Sequence, residues 1–144
     1  MWFEMQKIGI EGVFCGIKTP FPSDPFVRES SNIFRRTGCT SIIAIGNGAV
    51  ADYAKVVRQH VSGDSNEDEN RVCLAVVPTT ISAVYSSASF GLLHAEDDVL
   101  EFSSSDQPEV SVISYTYVTN KNKFCLFREN FSGIIVGAIR LHHC

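Results

Sequence analysis

The residues of this chain best suited to chemistry are the glycines of a short turn that follows an apolar run. Residues 41–45 are apolar or small, Gly46, Asn47 and Gly48 come next, and residues 49–59 then carry apolar side chains at helical spacing. A strand that passes through glycines into a helix leaves the first N–H groups of that helix without intrahelical acceptors. Because the helix dipole is positive there, the turn predicts a phosphate site.

The residue types of this turn permit unusual backbone conformations. Gly46 and Gly48 allow positive φ and close approach of a ligand, and Asn47 is the non-glycine residue that best tolerates a left-handed conformation. The turn is not the GxGxxG fingerprint, and any connection from a strand to a helix favours glycine. A plain tight turn without a ligand is therefore the alternative.

A second group of polar residues follows the apolar run at 72–77. The hydroxyls of Thr79, Thr80 and Ser82 come directly after Pro78. Ligands of open α/β sheets bind beyond the carboxyl ends of parallel strands, so these hydroxyls are candidate ligand contacts. The alternative is that they cap backbone groups of a loop.

The elements that would position these residues alternate between apolar runs and helical patterns. A strand at 41–45, a helix at 49–59 and a strand at 72–77 predict a right-handed parallel crossover. A helix at 25–37 precedes them, with Ser23 or Asp24 as its cap and Gly38 as its stop. Further strands are expected at 8–17, 86–94, 99–102 and 110–114, and residues 134–141 fit a strand or a helix equally well.

Composition excludes several classes of partner. The 144 residues suffice for one domain with a core, and their formal net charge is −4, with 12 Lys+Arg against 16 Asp+Glu. This balance disfavours nucleic acid and anionic membrane surfaces. No apolar run approaches the roughly 20 residues of a membrane span, and the first residues do not resemble a signal peptide. The five cysteines form no CxxC pair, which indicates reduced thiols and an intracellular protein.

The two motifs, in this order, resemble the iron-containing (group III) alcohol dehydrogenase family, which shares its fold with glycerol dehydrogenase and dehydroquinate synthase. The family pattern is a strand followed by GGGSxxDxxK, and later a strand followed by PTT. The first motif reads here as residues 46–52 with Lys55, and the second as residues 78–80. The likeness runs from about Lys7 to Gly91 and is traceable to the end.

The resemblance implies an α/β fold, an incomplete doubly wound parallel sheet of the dehydroquinate synthase-like N-terminal type. Residues 1–144 would form a single partial nucleotide-binding domain, with the C-terminal helical domain absent. A complete member is an NAD- or NADP-dependent oxidoreductase that uses a divalent metal and passes hydride between an alcohol or carbonyl and nicotinamide. The implied partners are the dinucleotide and a second copy or a complete paralogue, in the cytoplasm or in mitochondria.

The resemblance also assigns residues to the cofactor. The residues expected along the pyrophosphate are Gly46, Asn47, Gly48 and Ala49. Asp52 corresponds to the family's acidic residue one turn into the helix. The residues expected on the adenosine and nicotinamide-ribose side are Thr79, Thr80 and Ser82.

Several departures from the family pattern bear on activity. Ala49 replaces the usual serine, which removes a hydroxyl and a helix cap that contributes about 1 kcal/mol. Residues 95–101 are acidic where the family places lysines after PTT. Gly133 and Gly137 stand where an aspartate and a histidine would bind the metal, so no metal site is predicted and the catalytic residues stay unassigned. The chain is therefore expected to be inactive alone. The alternative is a non-catalytic fragment or pseudoenzyme, a module for nucleotide binding or dimerisation.

Overall fold

The computed structural model describes residues 6–17, 23–63, 72–80, 90–94, 100–104 and 107–112, with backbone alone for 90–94 and 100–104. Two helices and five strands are described. They are α1 (Asp24–Arg36), β1 (Ser41–Gly46), α2 (Gly48–Ser62), β2 (Cys73–Pro78), β3 (Phe90–His94), β4 (Leu100–Ser104) and β5 (Val110–Ser111). Neither helix is long and apolar enough to cross a membrane.

Helix α1 begins and ends close to where its sequence predicts. Ser23 occupies the N-cap position in an extended conformation, although its side chain makes no capping hydrogen bond. Gly38 follows the helix with a φ of 66°. The N–H of Cys39 donates to the carbonyl of Phe34 at 3.1 Å, and the N–H of Gly38 donates to that of Arg35 at 3.3 Å. These two bonds form a Schellman ending, which confirms Gly38 as the stop.

The three described strands of the main sheet run parallel in the order β1-β2-β5. β1 and β2 pair in register over their whole length, from Ser41 opposite Cys73 to Gly46 opposite Pro78. Both strands therefore end at the same edge of the sheet. The predicted strand–helix–strand unit and its parallel crossover are confirmed.

The core lies between the sheet and the two helices. The sheet contributes Ile42, Ala44, Leu74 and Val76 to one cluster, and α1 and α2 contribute Val27, Phe34, Val50, Ala54 and Val57. On the opposite face of β1, Ile43 and Ile45 are also buried. A strand buried on both faces has a continuous apolar sequence, which is why β1 carries no alternation.

β3 and β4 overlap the strands that the sequence predicts at 86–94 and 99–102. β3 and β4 form an antiparallel pair, with Phe90 opposite Ser104 and His94 opposite Leu100. β5 confirms Val110 and Ser111 of the strand expected at 110–114, whereas Val112 lies beyond the end of the strand and residues 113–114 lie outside the described part of the chain. The expected turn at 95–98 and the segment at 134–141 lie outside the described residues.

The strand predicted at 8–17 is wrong. Gly9 has a φ of 81° and ends a turn in which its N–H donates to the carbonyl of Gln6 at 3.1 Å. Beyond this turn, the described segment shows only an isolated bridge residue at Cys15. Ile8 and Phe14 are 75% and 51% exposed. Apolar and β-branched residues favour a strand only where a neighbouring strand or core receives them, and these two side chains have neither.

A buried arginine connects α2 to the segment before β5 and, through a glutamate, to β2. The Arg58 Nη1 donates to both carboxylate oxygens of Glu109 at 3.1 Å and to the Gln107 carbonyl at 3.1 Å. Glu109 Oε2 also accepts from the backbone N–H of Leu74 at 2.7 Å. The carboxylate thus neutralises Arg58 and accepts a hydrogen bond from a backbone N–H of β2, in the place of a backbone carbonyl.

A second polar contact joins the two helices. Tyr53 donates its hydroxyl to the carbonyl of Phe26 at 2.7 Å and shares a very short hydrogen bond with Ser30. Burial raises the pKa of the Tyr53 phenol to about 12, against a smaller lowering by the Ser30 bond. The neutral phenol is therefore the form that the fold stabilises.

We expect Glu109→Ala to destabilise the fold by roughly 2 kcal/mol, because Arg58 loses its carboxylate ion-pair partner and the Leu74 N–H loses its acceptor. Glu109→Gln keeps an oxygen for Leu74 and should cost about half as much. Urea unfolding of both variants beside the wild type measures the difference. Equal stability of wild type and Glu109→Ala would show that the contact contributes nothing.

We expect the Tyr53 phenol to make stability depend on alkaline pH. Its pKa is about 12 in the folded chain and about 10 when unfolded, so the unfolded chain loses the proton first. This contribution is complete below pH 10 and is lost as pH rises towards 12. Urea midpoints across this range should fall more steeply for the wild type than for Tyr53→Phe, and parallel curves would contradict the assignment.

Candidate functional site

The two motifs singled out in the sequence meet at the carboxyl edge of β1 and β2. The backbone N–H of Thr79 donates to the carbonyl of Gly46 at 2.8 Å. This bond continues the ladder that pairs Gly46 with Pro78. The glycine turn and the threonine loop therefore lie side by side, as the parallel crossover predicts.

Asn47 caps helix α2. Its side-chain oxygen accepts from the N–H of Val50 at 3.2 Å, and its carbonyl accepts from the N–H of Ala51 at 3.3 Å. Its φ of −80° and ψ of −175° are those of an extended residue, so Asn47 does not use the left-handed conformation that its residue type tolerates. The N-cap residue is Asn47, two residues before Ala49. The expected loss of a helix cap at Ala49 is therefore wrong.

The two glycines of the turn have different reasons to lack a side chain. Neither is among the described glycines with positive φ, so the turn does not use the backbone freedom that glycine would allow there. A Cβ on Gly46 would lie 2.5 Å from Val50 Cγ2 and 2.8 Å from Val50 Cβ, which no real contact allows. A Cβ on Gly48 would meet no atom of the described residues within 4 Å. Gly46 is thus required by packing, whereas Gly48 borders open space.

The open space beside Gly48 adjoins the amide end of α2. Asn47 satisfies the N–H groups of Val50 and Ala51. The amides of Gly48 and Ala49 belong to the first turn, which has no intrahelical acceptor for them. An anion placed there would accept from both amides and would lie at the positive end of the helix dipole.

The predicted threonines differ in accessibility. Thr79 is only 8% exposed, and Thr80 is half-buried. Ser82 lies outside the described residues. Thr80 is therefore the more exposed of the two residues, whereas the backbone of Thr79 holds the two loops together.

Asp52 and Lys55 form an ion pair within α2. Lys55 Nζ lies 3.8 Å from Asp52 Oδ1, and the exposed fractions of the two side chains are 1% and 20%. Burial lowers the pKa of the Lys55 ammonium, Asp52 raises it and Arg58 lowers it further. A lysine this deeply buried is unusual. The sequence pattern did not reveal it, because lysine normally occupies an exposed helix face.

The described residues offer no other group prepared for catalysis. Burial raises the pKa of the Cys15 thiol, which disfavours the reactive thiolate. No three His, Cys, Asp or Glu side chains in the described ranges come together as metal ligands. Gly133 and Gly137 lie outside those ranges, so the expectation of no metal site stays a prediction.

Comparison with known proteins identifies a family. The model of the family described as iron-containing alcohol dehydrogenase matches residues 3–115. No curated protein sequence matches the chain.

Solved structures share the fold. An archaeal halo-thermophilic alcohol dehydrogenase from a Red Sea brine pool superposes with a TM-score of 0.66 at 18% identity, over 76% of this chain and 33% of that one. A 1,3-propanediol oxidoreductase superposes with a TM-score of 0.61 at 21% identity, over 69% of this chain and 29% of that one. The sulfoacetaldehyde reductase of Bifidobacterium kashiwanohense in complex with NAD+ superposes with a TM-score of 0.58 at 19% identity, over 67% of this chain and 29% of that one. The expected α/β class is confirmed, and this chain spans about a third or less of each of these proteins.

We expect the two glycines of the turn to respond differently to alanine. Gly46→Ala should destabilise the fold by roughly 1–3 kcal/mol, because its methyl group overlaps Val50. Gly48→Ala should be neutral or stabilising by up to about 1 kcal/mol, since the new methyl group meets open space and alanine favours the helix. Urea unfolding measures both variants. Equal losses would show that the packing difference is absent.

Proposed function

Because the chain belongs to the iron-containing alcohol dehydrogenase family, we propose that it binds NAD or NADP, with the pyrophosphate at the amide end of α2. The open space beside Gly48 carries this proposal, since a side chain is absent where a phosphate would approach the helix. The amides of Gly48 and Ala49 would donate to the phosphate oxygens. Asn47 would hold the first turn of the helix in place for them.

The threonine loop would complete the site. Thr79 positions it by donating its N–H to Gly46, and Thr80 is the half-buried residue that follows. We assign Thr79, Thr80 and Ser82 to the ribose side of the dinucleotide, as the family resemblance implies. Gly46 permits the close packing of the turn on α2, and Asp52 lies one helical turn below Gly48.

We propose that the chain is the nucleotide-binding part of an oxidoreductase. The bound nicotinamide would supply hydride exchange with an alcohol or carbonyl carbon. The chain's own contribution is to bind the pyrophosphate and fix its orientation. The described residues do not fit the divalent metal that the family uses, so no step is assigned to a metal. The residues that would polarise the substrate stay unassigned.

A non-catalytic role is the second candidate. Glycines at 133 and 137, where the family has metal ligands, favour a pseudoenzyme that binds nucleotide or dimerises with another copy or a complete paralogue. Metal content, and turnover of a simple alcohol with NAD and NADP, separate the two roles. Unpatterned cysteines support a cytoplasmic location in either case.

Titration with NADH and NADPH, followed by nucleotide fluorescence, tests the binding proposal. We expect saturable binding of at least one nucleotide. Gly48→Asp should weaken it by roughly tenfold or more, about 1.4 kcal/mol, because a carboxylate would enter the anion site. No saturation at millimolar concentrations of either nucleotide would contradict the proposal.

Asn32→Asp is the matched control for this titration. Asn32 is exposed on α1, outside the glycine turn, and the substitution also adds one negative charge. Nucleotide affinity should stay unchanged. Equal weakening by Asn32→Asp and Gly48→Asp would indicate a general charge effect and would remove the support for a site at the turn.

A further inference from the structure

Strand β5 buries little apolar surface on the sheet. The strand consists of Val110 and Ser111, and the side chains of Val110 and the following Val112 are 46% and 49% exposed. The residues of β1, by contrast, are nearly all buried. The hydrophobic effect therefore holds β5 less firmly than it holds β1. Segments with few buried apolar contacts are those that open most easily in a folded protein.

Backbone hydrogen bonds flank the two paired residues of β5. The N–H of Glu109 donates to the carbonyl of Leu74 at 3.1 Å, and the N–H of Val112 donates to the carbonyl of Val76 at 2.8 Å. Each such bond contributes little net stability, because water replaces the partner when the segment opens. The backbone alone is therefore a weak attachment for so short a strand.

A charged side chain adds a stronger attachment. The Glu109 carboxylate accepts from the N–H of Leu74 at 2.7 Å, and both of its oxygens lie 3.1 Å from Nη1 of Arg58. Arg58 Nη1 also donates to the carbonyl of Gln107 at 3.1 Å. The arginine side chain is only 5% exposed, and a cation buried this deeply needs an anion beside it. Arg58 and Glu109 make further interactions, so this ion pair is part of a larger polar contact.

We propose that the Arg58–Glu109 pair is a latch that holds β5 on the sheet, and that residues 107–112 detach as a local unit when the pair opens. During this opening β1, β2 and both helices stay folded. Water then replaces the carboxylate at Arg58 and at the N–H of Leu74. The inference concerns the amino-terminal end of β2 and does not depend on nucleotide binding.

Native-state hydrogen exchange of the full chain, followed by NMR, tests this opening. The latch amides are the N–H groups of Leu74, Glu109 and Val112. They should exchange at least roughly tenfold faster than the N–H of Val57 in α2, and low urea should hardly change their rates, because local opening exposes little surface. Equal rates with equal urea dependence would show that β5 opens only with the whole fold, which overturns the inference.

Leu74 makes this test sharp. Its residue is 0% exposed, so burial alone would place its N–H among the slowest amides of the core. The latch instead predicts that Leu74 exchanges together with β5. The next residue, Ala75, points its N–H to the other side of the strand, towards β1, and should exchange as slowly as Val57. A Leu74 rate equal to that of Ala75 would contradict the proposal.

Two variants separate the latch from the core. Glu109→Gln weakens the latch and should speed the latch amides by roughly fivefold; Val57 should follow by a similar factor, because the latch is also broken in the unfolded chain. Val27→Ala leaves a cavity beside α1 that persists when β5 opens. It should speed Val57 by roughly tenfold or more and leave the latch amides within about twofold of the wild type. Unchanged latch amides in Glu109→Gln, or equal acceleration of both groups by Val27→Ala, overturns the inference.

Glu29→Gln is the matched control, because it removes the same charge from an exposed position on α1. Both groups of amides should keep their rates, and a fivefold acceleration there would assign the effect to net charge and overturn the latch. If Glu109→Gln does not fold, the wild type is compared at roughly 0.05 M and 1 M NaCl. Glu109 is 31% exposed, so salt screens the pair. The latch amides should exchange about twofold faster at high salt, and unchanged rates overturn the inference.

Discussion

The in-register pairing of β1 with β2 is the constraint on which the rest of the described structure depends. It brings Gly46 and Pro78 opposite each other, so that both strands end at one edge. The hydrogen bond from Thr79 to Gly46 then holds the two following loops together. A register shift of one residue would turn every side chain of a strand to the other face, and the apolar contacts with the helices would be lost. The arrangement of the loops is therefore maintained by the core.

Helix α2 buries two cations, and each has a carboxylate partner. Arg58 pairs with Glu109 near the start of β5, and Lys55 pairs with Asp52 within the helix. A buried charge without a partner is costly, whereas a paired one contributes little net stability and restricts the geometry. Arg58 fixes the helix against the sheet. Lys55 lies one helical turn before Arg58, in the middle of the helix, and its ion pair with Asp52 stays within α2.

The sequence predicted the elements that carry strong local signals. The apolar run of β1 and the glycine that ends α1 gave their positions to within one or two residues. The segment at 8–17 has a similar composition, but among the described residues it forms only the single bridge at Cys15, and composition does not contain that information. The structure also changed the interpretation of the turn. Asparagine at an N-cap is a common signal that could have identified the role of Asn47, whereas the burial of Lys55 depends on packing that is distant in sequence.

The contact between Gly46 and Val50 restricts the order in which this turn can change during evolution. A methyl group at position 46 overlaps the valine side chain, so any larger residue there first requires a smaller one at position 50. Val50 in turn belongs to the buried core, where truncation leaves a cavity. Each single step is therefore disfavoured, and the two positions are expected to be strongly epistatic. Gly48 carries no such linkage, so a lineage that no longer binds an anion could replace Gly48 freely and would still retain Gly46.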